Sequence, residues 1–148
     1  MQIINKLKIG DTTMENVNIN VLNYIVKDIN LSVARLGINT QLSLVEKESY
    51  VKTQYWEIDS TPFQTMPMIF KDIKLKGDVY ILEDEKKEGV VKITVRLDYR
   101  YHCFDGGSNG HQLGLITYEI DKYFWNEWDG SHEQSAAFEI NKVQGLAI

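Results

Sequence analysis

The sequence has little cysteine or proline and no long apolar run. Its 148 residues include one cysteine, Cys103, and two prolines. A single cysteine excludes an internal disulfide framework but leaves the redox compartment open. No stretch approaches the roughly 18 consecutive apolar residues of a membrane-spanning helix, and residues 1–16 lack the pattern of a secretory signal. We therefore expect a cytoplasmic protein that makes no membrane contact.

Arginine is also scarce: only three of the 16 lysine and arginine side chains are arginine, and the formal net charge is −5. This charge disfavours direct binding to nucleic acid, whose affinity comes largely from phosphate neutralisation by basic side chains. Hydrophobic residues make up 43% of the chain and charged residues 25%, as in ordinary soluble domains. A chain of this length buries enough surface to fold without a metal or a disulfide. We expect residues 1–148 to form one domain.

The spacing of apolar residues predicts one long helix near the N-terminus. They recur every three or four positions, which places them on one helical face, at Leu22, Ile25, Ile29, Val33 and Leu36. Thr12 and Glu15 match the capping box that satisfies the first free N–H groups of a helix. Gly37 suits the position just past the last turn. We expect this helix to cover about residues 13–36.

From residue 38 onward the apolar period falls to about two, which is typical of β-strands. The clearest strand has apolar side chains at the odd positions from Val91 to Tyr101 and polar ones between them. A hairpin turn is predicted at residues 83–89, a partner strand at 113–121 and a final strand within residues 136–143. The chain is therefore predicted to be α+β, with the helix packed on four to six antiparallel strands. This order of elements is similar to that of cystatin-like folds.

The segment YHCFDGGSNGH, residues 101–111, is the first candidate site. Asp105, Ser108, Asn109 and His111 belong to a glycine-rich loop whose backbone N–H groups could face an anion or a partner. A nucleotide-binding loop is disfavoured, because the segment contains no lysine and leads into a strand instead of a helix. The simpler interpretation is a hairpin loop in which glycine and asparagine accept positive φ.

His102, Cys103 and His111 raise two chemical alternatives in the same segment. They could contribute to a metal site, but the chain has only one cysteine and three histidines, and their spacing is not diagnostic. A cysteine nucleophile would need a histidine contact and groups that stabilise an oxyanion. We predict no metal, no cofactor and no catalytic residue.

A basic stripe is predicted along the polar side of the clearest strand. Lys92, Arg96 and Arg100 occupy alternate positions and His102 continues the series. Such a stripe could hold a phosphate, a nucleotide or an acidic partner. The alternative is cross-strand pairing of these side chains with carboxylates such as Glu83, Glu119 or Asp121.

An aromatic and acidic segment follows, YFWNEWDGSHE at residues 123–133. Trp125 and Trp128 are the candidate contacts, because tryptophan buries a large area at small entropic cost in protein interfaces. Carboxylates beside the rings suit a protein interface, a stacked base, a sugar or a cation. The alternative is that one or both tryptophans close the open end of the core.

Residues 96–120, RLDYRYHCFDGGSNGHQLGLITYEI, resemble a segment of small proteins encoded by phages and prophages. The resemblance implies a small accessory protein in the host cytoplasm, in a group that includes anti-CRISPR proteins and sponges for signalling nucleotides. It implies a non-enzymatic binder that blocks a host protein or sequesters a small anionic ligand. A virion component of the tail or head and a small enzyme are the alternatives, and homo-oligomerisation is left open.

Overall fold

One amphipathic helix lies across one face of a six-stranded antiparallel sheet. The computed structural model describes residues 7–9, 12–14, 17–36, 40–48, 54–60, 70–83, 86–103 and 108–146. The helices in this part are α1 (Ile19–Arg35), α2 (Lys122–Glu127) and α3 (Glu133–Glu139). The strands are β1 (Leu7–Ile9), β2 (Thr12–Met14), β3 (Leu42–Glu48), β4 (Gln54–Ser60), β5 (Phe70–Glu83), β6 (Val90–Cys103), β7 (Ser108–Asp121) and β8 (Ile140–Gln144).

Each strand of the large sheet pairs with its neighbour in sequence, in the order β3-β4-β5-β6-β7-β8. Strands β1 and β2 form a separate two-stranded sheet that lies against β5. The predicted α+β class, the N-terminal helix and the antiparallel sheet of four to six strands are confirmed. The hairpin turn before β6 is confirmed as well, and Gly89 within it has a φ of +77°.

Strand β6 shows why the sheet has one dry face. Its odd residues Val91, Ile93, Val95 and Leu97 are fully buried. The helix supplies the opposing apolar surface, through the buried side chains of Val21, Leu22, Ile25, Val26, Ile29 and Val33. Burying two apolar faces against each other removes both from water, which is the main driving force for this architecture.

The helix begins later than the sequence pattern predicts. Thr12 pairs with Ile9 in the β1–β2 hairpin, so its backbone is extended and the predicted capping box at Thr12 and Glu15 is wrong. Asn18 caps α1 instead, because its side chain accepts hydrogen bonds from the backbone N–H groups of Asn20 and Val21. The β-branched pair at 12 and 13 favours a strand, and this preference decides the conformation there.

Two other predicted boundaries need correction. Ser108, Asn109 and His111 belong to strand β7, where Ser108 pairs with His102, so the connection to β6 is shorter than the predicted loop. Residues 136–139 belong to α3, and only the part from Ile140 onward forms the final strand. Ala136 is the fully buried residue of α3, and its neighbours in this helix are exposed.

Gly77 lies within β5, which continues through this position without a break. A Cβ atom there would lie 3.0 Å from Val95 Cγ1 and 3.3 Å from Ile58 Cβ, on the two neighbouring strands. Glycine is therefore required by close packing on the dry face, and it does not mark the end of a strand.

Candidate functional site

Arg96 lies on the solvent face of β6, as the alternation predicts, but its charge is compensated. Its Nη2 donates to Asp78 Oδ2 at 3.0 Å, and its Nε lies 3.5 Å from Asp98 Oδ2. The partners are therefore carboxylates of β5 and β6, and they differ from the cross-strand acids that the sequence suggested. Glu83 and Glu119 pair with Lys122 and Lys87 instead.

The same face carries further ion pairs on β3, β4 and β5. Lys76 lies 3.1 Å from Glu57, and Lys47 lies 3.8 Å from the same carboxylate. Lys47 and Lys76 also approach Asp59 and Asp78, at 3.7 and 3.8 Å. With Arg96 they form an alternating ladder of three cations and four carboxylates in the described part of this face. Such a ladder has no excess positive charge with which to attract an anion.

The structure leaves part of the predicted stripe and loop outside its description. The backbone places Arg100 opposite Lys74 and Gly110, and His102 opposite Lys71 and Ser108. The side chains of Arg100, His102, Ser108, Asn109 and His111 lie outside the described part, and so does all of Asp105. The proximity of Arg96, Arg100 and His102 therefore stays a prediction. The shift of register between β6 and β7 at Leu97 and Asp98 comes from one extra residue in β7, Leu113, and the pairing of β6 with β5 continues through these positions.

The metal and thiolate alternatives depend on the same segment. In the β6–β7 pairing His111 lies opposite Tyr99, whereas His102, the neighbour of Cys103, lies opposite Ser108. The two histidines are therefore three residue positions apart along the paired strands. Within the described ranges, no three histidine, cysteine, aspartate or glutamate side chains are grouped as metal ligands.

The junction of α1 and α2 offers a second site, and Asn18 holds it together. Besides capping α1, its Nδ2 donates to the backbone carbonyls of Trp125 at 2.8 Å and Trp128 at 3.0 Å. Helix α2 is itself capped by Asp121, which accepts from the N–H groups of Tyr123 and Phe124. The start of α1 is thereby fixed against the end of α2.

The two tryptophans have different roles at this junction. Trp125 is 1% exposed and belongs to the main hydrophobic core, so it closes the core and offers no surface to a partner. Trp128 is half-buried at the edge of the core. Its indole N–H donates to the Ser131 carbonyl at 2.7 Å, which fixes the orientation of the ring.

Trp128 forms an aromatic cluster with Phe124 and Tyr24. The Phe124 ring stacks on it with centroids 5.2 Å apart and an interplanar angle of 21°. The Tyr24 ring from α1 meets it edge-on at 6.3 Å and 83°. Both geometries are favourable for aromatic pairs. Tyr123, which precedes Phe124 in α2, is 76% exposed.

A half-open cavity of about 120 Å³ lies beside this cluster. We call it the aromatic cavity; its lining is Asn20, Asn23, Tyr24, Lys27, Trp128, Gly130 and Glu133. Gly130 has a φ of +89°, and a Cβ atom there would lie 2.9 Å from Asn20 Oδ1. Glycine therefore allows the turn after Trp128 to approach α1 closely enough to form one wall.

The segment that supplies the Trp128 side of the aromatic cavity is negatively charged. Residues 119–139 contain six carboxylates and one lysine, a formal charge of −5, whereas the rest of the chain has 15 acidic and 15 basic side chains. The pKa of Tyr24 is raised by burial and by the negative charges of Asp28 and Glu133. Hydrogen bonds from Ser131 lower the pKa of Asp129, which keeps that carboxylate ionised. The net negative charge of the sequence thus lies in this segment, although two of its carboxylates, Glu119 and Glu133, pair with Lys87 and Lys27.

A buried tyrosine links the sheet to α1 next to this region. Tyr118, on the dry face of β7, donates to Asp28 Oδ2 at 2.6 Å, and Lys142 Nζ of β8 lies 2.9 Å from the same oxygen. Burial, the hydrogen bond to Asp28 and the charge of Asp28 raise the pKa of Tyr118. This contact ties the edge strand β8 and strand β7 to one point of the helix.

We expect Tyr118→Phe to lower the free energy of unfolding by about 1–2 kcal/mol near neutral pH, because the hydrogen bond to Asp28 is lost. Since the folded-state pKa is raised, the contribution of Tyr118 is complete below the unfolded pKa of about 10 and declines above it. The difference between wild type and variant should therefore shrink between pH 8 and pH 11, as measured by urea unfolding. A difference that stays constant over this range would contradict the raised pKa.

Sequence reasoning identified Trp128 but missed most of the cavity. Tyr24, Lys27 and Glu133 lie on α1 and α3, and only the tertiary structure brings them to Trp128. Asn18 was missed because the helix was predicted to start at residue 13, which placed Asn18 inside it. The concentration of negative charge in residues 119–139 was the available signal.

Comparisons with known proteins give no relative: no family model, no curated protein and no solved structure matches this chain. Among the described residues, none of the helices is long and apolar enough to cross a membrane.

Proposed function

We propose that this protein is a non-enzymatic binding protein that blocks a protein partner with the surface around the aromatic cavity. The observation that supports this most is the cluster of Trp128, Tyr24 and Phe124 beside the half-open aromatic cavity. Aromatic side chains held rigidly in a half-open notch, with a polar rim around them, are typical of interface hot spots.

A protein partner is favoured over a small anionic ligand for two reasons. The charge of Arg96 is compensated by Asp78 and Asp98, and the segment 119–139, which supplies Trp128 and Glu133 to the cavity lining, has a formal charge of −5 that disfavours an anion. In addition, the aromatic cavity of about 120 Å³ is smaller than the roughly 300–1,000 Å³ of small-molecule sites. It has room for one side chain of a partner, and the rest of the interface would lie around it.

The proposed partner is a bacterial protein and the proposed source of the chain is a phage, on the resemblance of residues 96–120. In this proposal the protein acts in the host cytoplasm by occupying a surface of a host defence protein. The two parts of the proposal are separable, because the cavity predicts a protein partner whatever its source.

We expect the affinity for that partner to fall at least about tenfold in Trp128→Ala, because a ring in a hot spot contributes well over 1 kcal/mol. A photo-crosslinking amino acid in place of Tyr123 would identify the partner in bacterial lysate. The partner would then be purified, and its affinity for wild type and variant measured by calorimetry.

Val143→Ala is the matched control, because Val143 is an exposed apolar residue on β8 and does not line the aromatic cavity. Its affinity should equal that of the wild type. Equal affinities of Trp128→Ala and wild type for the purified partner would contradict the proposal. Crosslinking only to a second copy of this chain would contradict it too, and would indicate that the surface mediates self-association.

A further inference from the structure

We infer that the aromatic cavity receives an arginine side chain of the partner, held against the wall formed by Trp128 and Tyr24 and by the Glu133 carboxylate. This inference rests on the proposed function and specifies the chemistry of its site. Its first support is size, since a cavity of about 120 Å³ accepts one long side chain but no folded element.

The second support is the chemistry of the walls. Trp128 and Tyr24 supply aromatic surface, Glu133 supplies a carboxylate, and Asn20 and Asn23 supply amide oxygens that can accept hydrogen bonds. A guanidinium group is planar, stacks on aromatic rings and donates two parallel hydrogen bonds to a carboxylate. Arginine therefore uses every kind of group in this lining, whereas an apolar side chain would use only the aromatic rings.

The third support is a cation of the protein itself in this position. Lys27 Nζ lies 3.2 and 3.1 Å from the two oxygens of Glu133, at the rim of the aromatic cavity. Both side chains are largely exposed, 68% and 51%, and an ion pair of this kind is weak. A partner guanidinium can replace the Lys27 ammonium at Glu133, because its bidentate geometry and its ring contacts favour it. Lys27 thus acts as an intramolecular competitor of the partner.

The charge distribution supplies the fourth support. Residues 119–139, which supply Trp128, Gly130 and Glu133 to the lining, carry a formal charge of −5, and in the rest of the chain the acidic and basic side chains are equal in number. A basic segment of a partner is therefore attracted to these residues in particular, and the attraction weakens with salt.

The test uses three blocked tripeptides, Gly-Arg-Gly, Gly-Lys-Gly and Gly-Gln-Gly, titrated into the full chain and followed by NMR. The chain has three tryptophans, and their indole N–H signals are separate probes. We expect the arginine peptide to shift the Trp128 signal with a dissociation constant in the roughly millimolar range of a single side chain. The signal of the buried Trp125 should stay in place, and the glutamine peptide should shift neither.

Three variants sharpen the test. Glu133→Gln is expected to weaken the arginine peptide about fivefold, and Lys27→Met to strengthen it about threefold by removing the competitor. Glu139→Gln is the matched control for Glu133→Gln, because it makes the same change in α3 at an exposed residue outside the cavity lining. It should leave the affinity within about 1.5-fold of the wild type.

An equal response to the glutamine peptide, or a weaker arginine complex in Lys27→Met, would overturn the inference. A stronger response to the lysine peptide than to the arginine peptide would mean that the cavity binds an ammonium group and not a guanidinium group. If none of the peptides binds while the purified partner still depends on Trp128, the arginine inference fails and the proposed function stands. If the arginine peptide binds but the partner's affinity is unchanged in Trp128→Ala, the proposed function fails and the arginine site is retained.

Discussion

Replacing Trp125 by alanine is expected to lower the free energy of unfolding by about 4 kcal/mol, in the range known for large aromatic side chains in cores. Among the residues that the structure describes, Trp125 is the largest fully buried side chain, and it lies in the same cluster as α1 and the dry face of the sheet. Its removal loses the transfer free energy of the indole and leaves a cavity. The surrounding strands cannot collapse into that cavity, because their own side chains are closely packed.

Urea unfolding followed by circular dichroism measures this loss. Trp128→Ala is the comparison, because the same atoms are deleted from a half-buried residue that directly follows α2. We expect a loss of only about 1–2 kcal/mol there. Trp125→Phe keeps part of the core volume and should lose about 2 kcal/mol, which covers the case in which Trp125→Ala does not fold. Equal losses at Trp125 and Trp128 would contradict the assignment of one to the core and the other to the surface.

Asn18→Asp is expected to lower the free energy of unfolding by about 3 kcal/mol, although aspartate caps helices as well as asparagine does. The side-chain oxygen still accepts from Asn20 and Val21, so the cap survives. What is lost is the Nδ2 donor to the Trp125 and Trp128 carbonyls. A carboxylate in its place faces two carbonyl oxygens, which repel it.

Asn20→Asp is the control for this prediction, since it makes the same change in the first turn of α1 at an exposed residue. A negative charge there interacts favourably with the helix dipole, so stability should be unchanged or slightly higher. Thermal and urea unfolding of both variants provide the measurement. If Asn18→Asp is as stable as Asn20→Asp, the two carbonyl hydrogen bonds contribute nothing and α2 is held by packing alone.

Asn18 also connects stability to function. Its donors fix the carbonyl ends of α2, and Trp128 directly follows that helix. The Tyr24 ring on α1 keeps its place beside Trp128 only while the two helices stay in contact. The Asn18→Asp variant is therefore expected to bind the arginine tripeptide more weakly as well, because the walls of the aromatic cavity move apart.

The ion-pair ladder on the solvent face of the sheet shows that a local sequence pattern does not predict which charged side chains pair. Alternation correctly placed Arg96 on the solvent side of β6 and the odd-numbered residues from Val91 to Leu97 on the dry side. The carboxylates that neutralise Arg96 are Asp78, eighteen residues away on β5, and Asp98 on its own strand. Periodicity gives the face on which a side chain lies, but the register between strands selects its partners.

By itself, the sequence determined the elements of this protein with the strongest periodicity. The apolar stripe of α1, the alternation from Val91 to Leu97 and the turn at Gly89 are properties of neighbouring residues, so they can be read locally. The tertiary structure alone decided that Trp125 enters the core while Trp128 stays at the surface, and that Asn18 joins α1 to α2. Those outcomes depend on contacts between segments more than 100 residues apart in the sequence. The local pattern of residues does not show which distant segments come into contact.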